Sequence, residues 1–254
     1  MKSTEERSSA MRRLSLRQRL IHHHLPLLVA SFFTTGVLYF TRPYPDVISR
    51  ASFATAYPAL ILVASTLATG PWNILWRRRN PVSSDLRRDI GIWAGVLGLG
   101  HSILGQMVHL RGRPWLYYVY EDTSRHMLPF RHDLFGFSNY TGLVSVLILI
   151  ALLATSNDLS LRALGTPGWK RLQRWNYAAF ALAAAHTFAY QSTEKNNSAF
   201  FVLSLLCLAI VIALQGTGYA RRKAAIRRKL GGVATVSPAA AGASSRSQKP
   251  TRSS

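Results

Sequence analysis

The chain has one cysteine, Cys207, and only ten acidic residues against 31 Lys and Arg. A single thiol makes no internal disulfide and supplies no thiolate metal cluster. Short catalytic motifs are missing as well: there is no GxGxxG, no Walker loop, no HExxH pair and no Ser/His/Asp arrangement for hydrolysis. The 36 residues after Gly218 leave no room for a nucleotide-binding domain. No cleavable signal peptide is expected, because the first apolar block has a long Arg-rich lead and no small-residue cleavage pattern after it. A formal charge of +21 invites a nucleic-acid reading, but the Arg and Lys lie beside apolar spans, which argues against nucleic acid as the partner.

What is abundant is apolar sequence, and it comes in long blocks rather than with a helical or strand period. Mean hydropathy is only +0.10 because these blocks are averaged with basic ends and loops. Six spans are expected: about Leu25 to Phe40, Phe53 to Trp76 with Pro58 and Pro71 as kink sites, Ile90 to Leu110, Tyr140 to Thr155 (extendable back to Leu134), Asn176 to Gln191, and Ala199 to Gly218. The predicted fold is all-α, a polytopic membrane protein built as a six-transmembrane-helix bundle. Residues 1–24 form a basic cytoplasmic arm, 25–218 the bundle, and 219–254 a basic, mostly disordered cytoplasmic tail. With the N-terminus inside, the cytoplasmic segments hold 24 Lys and Arg and the outer ones 7, so both termini are expected in the cytoplasm of a bacterial cell membrane. Asp89 closes a basic loop and is expected to cap the third span. The loop from Arg111 to Asn139 carries Trp115, Tyr117, Tyr118, Tyr120, His126 and His132, and is expected to fold over the outer end as a lid.

His101 lies near the middle of the third span, and an ionisable side chain at that depth is a site hypothesis by default. Gly98 and Gly105, at i−3 and i+4, share its face, and Gly91, Gly95 and Ser102 continue a stripe of small residues beside it. His186, in the fifth span, has Ala179, Ala183 and Ala189 on its face, closed by Leu182 and Tyr190. Counted from Ile90 and Asn176, the two histidines lie at about 16 and 15 Å along parallel helices at 1.5 Å per residue. Two imidazoles at matching depth in grooves of small residues point to a haem iron held between them. A single membrane histidine is more often a packing residue, and the pairing is what raises these two. His109 is about 12 Å further out, His126 and His132 belong to the outer loop, and His22, His23 and His24 are read as interfacial. In the inner loops, Arg77, Arg78, Arg79, Arg87, Arg88, Lys170, Arg171 and Arg174 set topology and bind anionic lipid in the simpler reading. In the functional one, Arg88, Lys170, Arg171 and Arg174 hold the phosphate of FMN or FAD, or polarise a quinone.

The run from Arg87 to Ala94, then His101, then Leu153 to Tyr190 with its Thr155-Ser156, Trp169-Lys170, Tyr177 and His186, resembles the ferric-reductase-like transmembrane domain. The likeness is greatest to the haem-binding membrane subunits of bacterial methionine-sulfoxide reductase systems and covers about residues 53 to 215. It implies haem b between spans three and five and electron transfer across the membrane. That pattern has a histidine where this chain has Gln173, and the inner-ligand positions of two-haem members fall on Arg87 or Arg88 and Gln173. One haem per chain is therefore expected. The expected donor is a cytoplasmic or membrane flavoprotein or quinol, and the expected acceptor an outer-side protein or ferric iron. The competing readings are a haem-free scaffold or assembly subunit of a larger membrane complex, and an ion pathway with the histidines as a relay.

Overall fold

The computed structural model describes residues 15–42, 44–76, 82–195 and 198–236, and the elements among them are helical apart from one isolated bridge between Val119 and Phe130. Helix α1 spans Leu16–Thr41 and opens on a capping box, in which Ser15 Oγ accepts from the Gln18 amide and the Gln18 side chain accepts from the Ser15 amide. Asp46 caps α2 (Val47–Leu75) by accepting from the Ser49 amide at 2.7 Å. Helix α3 is Val82–Val108, and short 3-10 turns then lead to α4 (Leu134–Ala154), which Asp133 caps through the Gly136 amide. Burial works against the charge of Asp133, but Arg131 and the Gly136 amide outweigh it and hold the carboxyl below its ordinary range. Then come α5 (Asp158–Gln173), α6 (Trp175–Tyr190) and α7 (Ser198–Val236).

Five of these helices are long and apolar enough to cross a membrane: α1, α2, α3 from Asp85, α4, and α7 over Ala199–Arg228. At 16 residues α6 is shorter, and it runs on into a π-turn at Gln191–Lys195. The segment expected as an inner loop folds as α5, which breaks where Gly165 adopts φ +63°, two residues before Pro167. The last helix continues past Gly218 to Val236. The expectations for the lead before Ser15, for Arg77 to Arg79 and for the tail beyond Val236 lie outside the described residues.

Helix α2 is the hub. Its Leu60, Val63, Ala64 and Leu67 meet Ala94 of α3, Leu149 of α4, Ala179 and Phe180 of α6 and Val211 of α7 in one apolar core. Polar side chains tie the same helices together. Asn176 donates to Thr66, Ser145 Oγ donates to the Ala179 carbonyl at 2.9 Å, and Gln215 Nε2 donates to the Leu67 carbonyl at 2.8 Å. In lipid such bonds contribute about 0.6–2 kcal/mol each. Helix α1 is peripheral, with Phe32 and Phe40 71% and 82% exposed, a face that only lipid or another chain would cover at no cost.

One expectation is overturned at the base of α3. The helix begins at Val82, a full turn and more before Asp89, so Asp89 cannot be its cap. Its carboxylate is instead fully buried and receives Arg19, His23 Nδ1 at 2.7 Å and His24 Nε2 at 3.3 Å. His23 and His24 therefore help anchor α1 to α3. The π-turn at Leu20–His24 makes this possible, because its wider pitch brings positions 19, 23 and 24 to one side of α1. Removing a buried carboxylate leaves the Arg19 guanidinium uncompensated, so Asp89→Ala is expected to lower stability in detergent by roughly 3–5 kcal/mol. Asp158→Ala, which removes a carboxylate that is 57% exposed from its pair with Arg88, should cost less than about 1 kcal/mol. Thermal unfolding of both variants checks the contrast.

Candidate functional site

Helices α2, α3, α4 and α6 enclose a cavity with about 1250 Å³ of empty space, mouth included. Gly98, His101 and Gly105 line it from α3, and Ala183 and His186 from α6. Ser102 of the expected small-residue stripe lines it too, whereas Gly91 and Gly95 do different work. Side-chain atoms of Thr66 and Leu153 lie 3.8 and 3.3 Å from where a Cβ would stand at Gly91 and Gly95, so these two glycines serve close helix packing.

The two imidazoles face each other with ring centroids 6.1 Å apart. His101 Nδ1 donates to the Ser52 carbonyl of α2 at 2.9 Å, and His186 Nδ1 donates to the Ser138 carbonyl of α4 at 2.8 Å. A carbonyl only accepts, so each ring carries its proton on Nδ1 and keeps a lone pair on Nε2. Among the described residues nothing bonds to either Nε2. This is the state of a histidine prepared for a metal, with the far nitrogen oriented by a backbone acceptor. Two imidazole nitrogens each about 2 Å from one metal ion put their ring centres roughly 6 Å apart, so the donor set and its spacing fit an iron between them.

Sequence reasoning missed the residues behind the rings. A Cβ at Gly142 of α4 would stand 2.7 Å from His186 Nδ1, so only glycine lets α4 approach that ring. Ser138, Gly142 and Ser145 fall on one face of α4, a small-residue signal that could have been read. The carbonyls of Ser52 and Ser138 leave no trace in a sequence, since every residue has one.

The remaining histidines lie elsewhere. His109 packs among Tyr117, Phe135 and Tyr190, and His126 and His132 gather around Tyr120 in the long loop between α3 and α4. That loop is seated on the bundle: Tyr117, 1% exposed, donates to the Gly105 carbonyl and accepts from the His109 amide at 2.8 Å. At the other end Arg88 is held by Asp158 at 2.7 Å, while Lys170, Arg171 and Arg174 are exposed at the close of α5.

Fold and cavity together define a multi-pass membrane protein with a two-histidine site inside the bundle. Comparison with known proteins finds two relatives. The chain is 28% identical over 198 residues to an uncharacterized protein of Treponema pallidum, covering 76% of this chain and 49% of that one, so it spans about half the length of that relative. It is also 28% identical over 185 residues to the Protein-methionine-sulfoxide reductase heme-binding subunit MsrQ of Deinococcus radiodurans, covering 71% of this chain and 77% of that protein. No family model matches the chain.

Gly142→Ala should push the His186 ring off its carbonyl and cost about 1–3 kcal/mol of stability. Gly100→Ala is the control, because nothing lies within 4 Å of a Cβ there, and it should be neutral or stabilising by up to about 1 kcal/mol. Equal effects in thermal unfolding would contradict the close approach.

Proposed function

We propose that this chain is a membrane cytochrome of the b type with a ferric-reductase-like bundle, passing electrons across the bilayer to an acceptor on the outer side. The observation that carries the reading is the pair of imidazoles across the cavity, each fixed through Nδ1 and each with Nε2 open. The heme-binding subunit named above supports it from outside the chain. His101 and His186 would hold the iron, and Gly98, Gly105 and Ala183 would leave the flat ring its space. When bound, the haem supplies one-electron exchange; the protein supplies position, burial and exclusion of water.

In this reading the bundle has six spans, with α6 and its π-turn making the sixth, and both termini lie in the cytoplasm as the charge asymmetry demands. One haem per chain is proposed, because Gln173 offers no imidazole and Arg88 is engaged by Asp158. The donor is then a flavoprotein or quinol on the cytoplasmic side. With Arg88 already paired to Asp158, a resident flavin or quinone would be held by the exposed Lys170, Arg171 and Arg174.

Haem titrated into the detergent-purified chain is expected to give a six-coordinate low-spin spectrum at one equivalent. His101→Ala and His186→Ala should each abolish that spectrum, while Thr187→Ala keeps it. A low-spin spectrum that survives in both histidine variants refutes the ligand assignment, and two equivalents refute the count.

For topology, a cysteine placed at Thr123 should react with an impermeant reagent from outside, and one at Ser237 should not, both in a Cys207→Ser background. The reverse pattern inverts the orientation.

A further inference from the structure

The loop between α3 and α4 has a fixed fold of its own. Residues 118–120 lie against 129–131: the Tyr120 amide donates to the Pro129 carbonyl and the Arg131 amide to the Tyr118 carbonyl, both at 2.9 Å, on either side of the Val119–Phe130 bridge. Between these two arms Asp122 accepts from the Ser124 amide at 3.1 Å and starts the turn Thr123–Arg125, whose first carbonyl takes the His126 amide at 3.3 Å. The turn brings the chain back on itself. His126 returns to the arm it left and stacks on Tyr120, with ring centroids 3.5 Å apart and planes 9° from parallel. His132, just past the second arm, meets the same ring edge-on at 5.3 Å, and its amide donates to the Tyr120 hydroxyl at 3.3 Å.

One phenol ring thereby places two imidazoles, and their centroids are 5.8 Å apart. The pair inside the bundle stands at 6.1 Å, and two rings that share one ion through nitrogens at about 2 Å reach a similar separation. Both loop rings have nitrogen to offer. His132 Nδ1 donates to the Phe130 carbonyl at 3.4 Å, which leaves its lone pair on Nε2. Neither ring nitrogen of His126 has a hydrogen-bond partner among the described residues. His132 is exposed and His126 half-buried, so an ion can reach them from solvent. The acids of the loop are engaged by arginines: Glu121 with Arg113, Asp122 with Arg125 and Asp133 with Arg131. The last pair also offsets the guanidinium 5.1 Å from the Tyr120 ring, which would otherwise repel a cation.

We propose that His126 and His132 together bind one divalent transition-metal ion, with Tyr120 as the positioning residue. The donor set selects the class. Imidazole suits Cu²⁺, Zn²⁺ and Ni²⁺, of which Cu²⁺ binds most tightly, whereas Mg²⁺ and Ca²⁺ take oxygen. No third histidine, thiol or carboxylate joins the pair among the described residues, so water completes the shell and positions on the ion stay open to exchange. The site is independent of the haem reading, since none of its residues lines the bundle cavity.

The test titrates the full-length, untagged protein in detergent with CuCl₂ and with ZnCl₂, reading heat for both and the nitrogen hyperfine pattern of bound Cu²⁺. His126→Gln and His132→Gln should each bind one equivalent fewer than wild type, with thermal unfolding of the metal-free protein unchanged. The double variant should also bind only one fewer, because both side chains hold the same ion. Tyr120→Leu should weaken that equivalent about tenfold while Tyr120→Phe, which keeps the stacked ring, retains it. Equal binding by wild type and both single histidine variants overturns the site. A double variant that binds two equivalents fewer overturns the shared ion.

Discussion

Each imidazole of the pair is fixed by donating its Nδ1 proton to a carbonyl on a neighbouring helix, and most of the architecture follows from that requirement. Ser52 supplies one acceptor, so α2 must run against α3 at the depth of His101. Ser138 supplies the other, so α4 must approach α6 closely enough that only Gly142 fits behind the ring. Inside a bilayer no water competes for these carbonyls, which makes the orientation more decisive than it would be at a soluble surface. The central place of α2 in the core is the packing consequence of serving one histidine directly and walling the cavity of both.

Helix α3 brings His101 to this meeting on a backbone poor in helix propensity. Gly91, Gly95, Gly98, Gly100 and Gly105 each cost up to about 1 kcal/mol relative to alanine. The helix is held at both ends instead. Near its start Asp89 is locked to α1 by Arg19, His23 and His24. Near its finish the buried Tyr117 hydroxyl meets the Gly105 carbonyl and the His109 amide, joining the α3–α4 loop to the helix. Glycines that open the cavity and admit α2 and α4 are thus tolerated because two polar clamps fix the helix from outside its own hydrogen-bond ladder.

The spans were legible in the sequence because lipid allows so few solutions: long apolar blocks separated by basic loops. Each of the five long helices covers its expected span to within two residues but outruns it, α1 by nine residues at its start and α7 by eighteen at its end, and Leu134, marked as a possible start, is where α4 begins. The approach of His101 to His186 was legible for a geometric reason, since a fixed rise per residue turns sequence distance into depth. What escaped the reading is what depends on partners far along the chain. Asp89 meets residues about seventy positions away, and a carboxylate beside a helix start looks the same whether it caps or is clamped. Carbonyl acceptors carry no signature at all. The α5 segment is basic and lies between two apolar spans, which reads as an inner loop, whereas the structure folds it as two helical pieces joined at Gly165.

The residues lining the cavity are apolar, hydroxyl, amide or neutral imidazole, and no charged side chain is among them. Both rings are held in the tautomer that carries no net charge, so the protein presents two lone pairs and no counter-charge to whatever lies between them. In a low-dielectric interior an uncompensated positive charge at that point is penalised, and the lower oxidation state of a bound metal centre is relatively favoured. The one counter-charge that can reach the site is a carboxylate brought by the ligand itself. Its distance from the iron depends on which end of the cavity accepts it. In the haem reading, the distance between that carboxylate and the iron sets how far it offsets the burial of the iron's charge, and so contributes to the potential of the site.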